Sequence, residues 1–120
     1  MATHNDTGKN GEEQAQAHLR KSGYEILETN YRYGKAEIDI IARKNNTLAI
    51  VEVKTRSSDV FGAPEHFVNP KKIRLILEAT NAYVSQNNLN LEISLDIISI
   101  LLAPHIRIKH IKNAYLPFNR

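Results

Sequence analysis

The chain opens on a polar run, residues 1–7, and then takes on a helical period. Ala15 and Leu19 begin an inward stripe. Thr7 or Asp6 is a candidate cap for a helix from about Lys9 to Ser22, closed by Gly23. Counted back from Ala15 and Leu19, Glu12 falls on the same stripe, which is an unusual place for a glutamate. The period then shortens to two. Tyr24–Tyr31, Ala36–Arg43 and Leu48–Thr55 read as strands, with Gly34-Lys35 as one turn and Lys44–Thr47 as a short polar hairpin loop. Arg56–Asn69 carries Ser, Asp, Gly and Pro and reads as a loop. Asn69-Pro70 sets a cap before a proline at the first helical position. Ile73, Ile76, Leu77, Thr80 and Val84 give that helix its apolar face, and it ends near Gln86-Asn87-Asn88. Leu91–Leu102 and Ile106–Ile111 are two further strands, separated by Ala103-Pro104. The order α-β-β-β-α-β-β predicts a single α/β domain over residues 1–120, with 1–7 as a loose start.

Composition narrows the function. With 120 residues, 42% of them hydrophobic, the chain can bury one core without staples. A charged fraction of 24%, with five Gly and four Pro, excludes a disordered or fibrous protein. The absence of cysteine excludes disulfides, thiolate zinc sites and cysteine nucleophiles, so any metal sits on carboxylates, histidines or carbonyls. No apolar run approaches the ~18 residues of a membrane helix. The first residues lack the apolar segment of a secretory signal, so the expected compartment is the cytoplasm. The net charge of +3 is unevenly spread: residues 1–31 hold three basic and five acidic side chains, residues 32–120 thirteen and eight. That asymmetry suits a polyanion-binding face, although an ordinary solvated surface explains it as well.

The second and third strands carry the candidate chemistry. One reads Glu37-Ile38-Asp39-Ile40-Ile41, the other Ile50-Val51-Glu52-Val53-Lys54. Period two puts Glu52 and Lys54 on one face. If Arg43 lies opposite Leu48, Asp39 lies opposite Glu52, and two carboxylates and an ammonium converge among apolar neighbours. Like charges so placed repel unless neutralised. A divalent cation is one remedy, and Mg²⁺ is typically held by one or two carboxylates with water and substrate phosphate. Lys54 would then orient a water or stabilise charge on a phosphate, as metal-assisted phosphodiester hydrolysis requires. A surface salt bridge from Lys54 to Glu52 or Asp39 is the plainer explanation. Glu12 could supply a third carboxylate, or simply favour its helix N-terminus.

Lys71 and Lys72 occupy the first turn of the second helix, where cations oppose the dipole; with Arg74 they suit a phosphate, or are merely exposed. None of the five histidines shows metal-ligand spacing, and His105 and His110 are expected on opposite sides of a strand. Tyr31 and Tyr33 could stack on bases, though packing is the commoner use. There is no glycine-rich phosphate loop.

The run Asp39, twelve residues, then Glu52-Val53-Lys54 resembles the PD-(D/E)-x-K signature of restriction endonucleases and archaeal Holliday-junction resolvases. More closely, the chain resembles the uncharacterised bacterial YraN family. The matching stretches are Gly8–Glu12 with Ala15 and Leu19, Gly23–Leu27 with Asn30 and Arg32, and Gly34 with Glu37–Ala42. They continue through Val51–Arg56, Asn69–Arg74, Asp96 and His110–Tyr115. The resemblance implies a restriction-endonuclease-like fold, a mixed central sheet flanked by helices. It also implies Glu12, Asp39 and Glu52 as metal ligands and Lys54 as the catalytic lysine. Ile38 departs from the signature's proline, a position without a chemical role.

Together these readings predict a Mg²⁺-dependent nuclease hydrolysing phosphodiester bonds, with Mn²⁺ as substitute and DNA ahead of RNA. Branched and damaged DNA are candidate substrates. Asp39, Glu52 and Lys54 are the expected catalytic residues, and Arg56, Lys71, Lys72 and Arg74 the expected backbone contacts. A junction resolvase would need two active sites, hence a homodimer. The alternatives are a non-catalytic nucleic-acid-binding module on the same fold, and a protein-interaction domain with a merely structural charged hairpin.

Overall fold

The structure, a computed structural model, describes residues 4–57 and 69–114, with side chains from Lys9 onward. Most of the loop expected over Arg56–Asn69 lies outside them. The described residues form α1 (His4–Lys21), β1 (Glu25–Tyr33), β2 (Ala36–Lys44), β3 (Thr47–Arg56), α2 (Pro70–Gln86), β4 (Glu92–Leu101) and β5 (Arg107–Ile111). This is the predicted order. The strands line up as β1-β2-β3-β4-β5, with only β3 and β4 parallel. A parallel pair needs a crossover, and α2 supplies it. The mixed sheet with two helices is compatible with a restriction-endonuclease-like fold.

Each helix buries one face of the sheet. Ile76, Ala79 and Tyr83 of α2 pack with Ile38, Ile41, Leu48, Ile50, Leu95 and Ile97. Ala15 and Leu19 of α1 pack with Tyr24, Ile40, Ala42, Ala49, Val51, Ile98 and Ile100. Burial of both faces explains why β3 and β4 read as nearly continuous apolar runs. Tyr31 belongs to the α2 side, edge-on to the Tyr83 ring at 5.2 Å, so its expected default of packing holds; Tyr33 is exposed.

Several details differ from expectation, β1 for instance running on to Tyr33. The first helix starts at His4, upstream of both candidate caps, because no proline before Lys9 forbids helical backbone and a favourable cap residue does not compel a cap. The hairpin closes on two residues, not four: Lys44 pairs with Thr47, and Asn45 takes φ 55°, a conformation asparagine tolerates. Arg43 nevertheless lies opposite Leu48 as expected. His105 falls before β5, so the argument that it opposes His110 across a strand does not apply.

The inward stripe of α1 is Gly11, Ala15 and Leu19, with Glu12 half-buried beside it. Gly11 is where helix and sheet touch: a Cβ there would lie 1.8 Å from the Thr55 hydroxyl oxygen and 2.7 Å from its Cβ. Gly11→Ala gains about 1 kcal/mol of helix propensity, but overpacking of this kind costs about 1–3 kcal/mol. We expect net destabilisation in urea unfolding, partly recovered in Gly11→Ala/Thr55→Ala.

Candidate active site

The alternation of β2 breaks at one residue. Ala36 and Ile38 face α2, whereas Ile40 and Ala42 face α1. Asp39 stands at the crossing point. Opposite it, β1 pairs through Thr29↔Ile40 and Tyr31↔Ile38, skipping Asn30, which holds φ 51°. On the other side, β2 and β3 pair from Lys44↔Thr47 to Ile40↔Val51 and then part. The Asp39 carboxylate takes over the freed ladder position: its Oδ2 accepts from the Val53 N–H at 2.8 Å. The sequence-based register places Asp39 opposite Glu52, and the observed pairing extrapolates to that position. The side chain, however, turns into the gap between the strands to reach a backbone amide.

β3 keeps strict alternation, so Glu52 and Lys54 share the α2 face as expected. Lys54 Nζ lies 3.0 Å from Glu52 Oε2. The Glu52 side chain is only 12% exposed, and a second cation, Lys72 of α2, pairs with the same oxygen. The Asn69 cap, accepting from the Lys72 N–H at 3.0 Å, fixes the first turn that carries this lysine. A cation in that turn opposes the helix dipole, and its pairing with Glu52 supplies the compensation. The sequence groups Lys72 with Lys71 and Arg74 as an expected backbone contact. The structure turns Lys72 toward Glu52 and leaves Lys71 and Arg74 exposed. Arg56 ends β3, partly buried.

Asp39, Glu52 and Lys72 line a cavity of about 230 Å³ between the parted strands and α2, walled by Ile38, Ile50 and Ile76. Burial pushes the Asp39 carboxyl up to about 6. The Val53 N–H opposes that, the charges of Glu12 and Glu52 add to it, and Lys72 opposes it. Glu12 is likewise raised, first by burial and then by Glu37. Glu12 therefore reaches Asp39 through its field. Yet among the described residues no group of three His, Cys, Asp or Glu side chains is placed to hold a metal ion. The expected ligand set Glu12, Asp39 and Glu52 is not gathered as three, because lysines hold Glu52 and an amide holds Asp39. Two hard carboxylates on one cavity still fit Mg²⁺, which is often bound through one or two of them.

A second polar cluster escaped the sequence reading. On the α1 face, Asp96 is 1% exposed. The Ser94 hydroxyl donates to its Oδ1, the Asn113 N–H donates to the same oxygen at 3.1 Å, and His110 Nε2 lies 2.8 Å from Oδ2. The His110 ring meets His18 of α1 edge-on at 5.8 Å and Tyr24 at 5.9 Å. Ser94 bonds the carboxylate and not the imidazole, so the three do not form a Ser-His-Asp relay. The available signal was an aspartate inside an apolar strand, since a buried charge needs partners.

Residues 11–100 match the family model described as "Uncharacterised protein family UPF0102". The chain belongs to this family. A UPF0102 protein of Flavobacterium psychrophilum is 53% identical over 119 residues, covering 98% of this chain and 100% of its own. Another from Christiangramia forsetii is 50% identical over 119 residues, with coverage of 98% and 100%. One from Phocaeicola vulgatus is 43% identical over 118 residues, with 98% of each chain covered. Their names give the UPF0102 designation and no activity. The YraN-like resemblance is thereby established at the level of the family. Among the described residues no helix is long and apolar enough to cross a membrane.

Proposed function

We propose that the protein is a Mg²⁺-dependent nuclease acting on DNA, with the cavity between β2, β3 and α2 as its active site. One observation carries this reading: two strands part at an aspartate, and the gap holds two carboxylates and two lysines beside a cavity. A merely structural ion pair does not need a desolvated aspartate, whose ionisation opposes folding. Asp39 and Glu52 would hold the cation, with Glu12 adding its charge. When bound, the cation supplies Lewis acidity and charge neutralisation at a phosphodiester. With Glu52 engaged in holding a cation, the Lys54 ammonium would donate hydrogen bonds to a phosphate oxygen or to an attacking water. Water would add at phosphorus as the bridging P–O bond breaks, one water proton ending on the departing oxygen, to give a phosphate monoester and a hydroxyl. Lys71 and Arg74, exposed on the first turns of α2, would supply further contacts to backbone phosphates.

The Glu52 ion pairs also favour a second reading, a nucleic-acid-binding module without cleavage, because lysines already neutralise that carboxylate. Cleavage of labelled single-stranded, duplex and four-way-junction DNA in Mg²⁺ or Mn²⁺ separates the two. Wild type is expected to cut, while Asp39→Asn and Lys54→Ala purified in parallel fall to background. No cutting by wild type, or equal cutting by all three, defeats the nuclease reading.

A further inference from the structure

Two ammonium groups converge on one carboxylate at Glu52. Lys54, two residues along the same strand, pairs with Oε2 at 3.0 Å, and one ammonium neutralises one carboxylate. Lys72 reaches the same oxygen from a different element, the first turn of α2. That turn contains no acidic residue to offset it, and a cation there opposes the helix dipole. The Asn69 cap nevertheless pins the turn and so delivers the ammonium to Glu52. The Lys72 charge also reaches Asp39. Burial, and then the charges of Glu12 and Glu52, disfavour ionised Asp39, whereas Lys72 favours it. One ammonium thus serves both carboxylates of the cavity, as a bound cation would.

The two lysines are not equivalent. Lys72 lines the cavity with Asp39 and Glu52, whereas Lys54 does not. The Lys72 side chain is 46% exposed, against 25% for Lys54. An ammonium on a flexible stem with access to water gives up an ion pair at little cost. The cavity of about 230 Å³ far exceeds the ~15 Å³ that admits one water. It therefore has room for an ion that keeps part of its water shell, as Mg²⁺ does.

We infer that Lys72 is an internal placeholder for the divalent cation: its ammonium occupies Glu52 in the metal-free protein and withdraws when the cation binds, so the start of α2 sets the metal affinity of the site. The inference rests on the proposed function for the place of the cation, but it does not require cleavage. Lys54, carried on the strand itself, remains beside the site. Competition of this kind weakens the apparent metal affinity by the fraction of time that the carboxylate is free of Lys72. An ion pair open about a tenth of the time weakens it about tenfold.

The test is Mn²⁺ binding to the full chain without DNA, read by titration calorimetry at neutral pH. Lys72→Met is expected to bind Mn²⁺ about tenfold tighter than wild type, or more. Lys72→Gln keeps a hydrogen-bond donor for Glu52 and is a milder second variant, expected to shift the same way. Lys72→Arg keeps the charge and is expected to bind no tighter than wild type. Lys71→Met removes an exposed charge from the same turn and is expected to stay within about twofold of wild type, because solvent and salt screen it. Thermal melts check folding and give a second readout. At one Mn²⁺ concentration, the rise in midpoint over EDTA should be larger for Lys72→Met than for wild type, because tighter binding stabilises more. Equal affinity in Lys72→Met and wild type, or an equal gain in Lys71→Met, overturns the inference. If Lys72→Met binds as wild type while Asp39→Asn loses Mn²⁺ binding, Lys72 is only structural and the metal site stands. If Lys72→Met binds tighter and wild type never cuts DNA, the placeholder stands and the nuclease reading fails. If neither wild type nor Lys72→Met binds Mn²⁺, both fail.

Discussion

Asp39→Asn is expected to lose about a hundredfold to a thousandfold in cleavage, the usual range for removing one preorganised electrostatic group, and at the same time to melt higher than wild type in EDTA at neutral pH. The two effects have one cause. Folding desolvates this carboxyl and raises it to about 6, against 3.8 for the ordinary group. The folded state therefore holds the proton more tightly than the unfolded chain. The stability linked to that proton is fully present below pH 3.8 and is lost as pH rises through about 6. Above that, ionised Asp39 opposes folding by up to about 3 kcal/mol. Asparagine retains an oxygen for the Val53 N–H but carries no charge, so it escapes the loss. Melts from pH 4 to 8 should show the variant's advantage growing as wild type ionises. Mg²⁺ should raise the wild-type midpoint and leave the variant's unmoved, because only the charged site binds the ion. A variant that melts lower at pH 7 would make Asp39 a structural acceptor for Val53 and remove its catalytic assignment.

How far the site could be read from sequence depends on what each residue's position rests on. Element order and the Arg43–Leu48 register follow from hydrophobic period and turn residues, which are local, and they appear as expected. Lys54 beside Glu52 follows from alternation alone. Lys72 beside Glu52 does not, because it depends on where a crossover helix lands twenty residues later. The face change at Asp39 is also not local. Ile38 and Ile40 look like one face under strict period two, and only Asn30 at φ 51° on the neighbouring strand reveals the crease. A positive-φ asparagine inside a strand leaves no mark in a hydrophobic pattern. The Gly11 contact with Thr55 is hidden for a related reason: a glycine on a helix stripe reads as a weak helix residue until the strand that touches it is known. Glu12, chosen for its stripe, does lie near enough to act on Asp39, but the three-carboxylate set that the resemblance implied is not assembled.

Asp96→Ala is expected to be the most destabilising single change outside the apolar core. It strips a common acceptor from the Ser94 hydroxyl, the Asn113 N–H and the His110 ring at once. Leaving buried hydrogen-bonding groups without their partner costs about 1–3 kcal/mol for each, because the groups left behind cannot return to water. Asp96→Asn keeps the shape and one oxygen, so it should lose less. Urea unfolding measures both, and His110→Ala in the Asp96→Ala background should cost less than in wild type, since the two share one interaction. The cluster also bears on the candidate site at a distance. It lies under α1, where His110 meets His18, and α1 carries Glu12 and the Gly11 contact with β3. His18 is pushed toward its neutral form, first by burial and then by His110 and Lys21, so the ring pair avoids two adjacent charges. Asp96 thus holds His110 against the helix that carries Glu12. Folded Asp96→Asn protein should behave as wild type in the cleavage assay, because the Asp39/Glu52 cavity opens toward α2, on the other face of the sheet. A stable Asp96→Ala protein that had lost binding or cleavage would instead give the cluster a chemical role of its own.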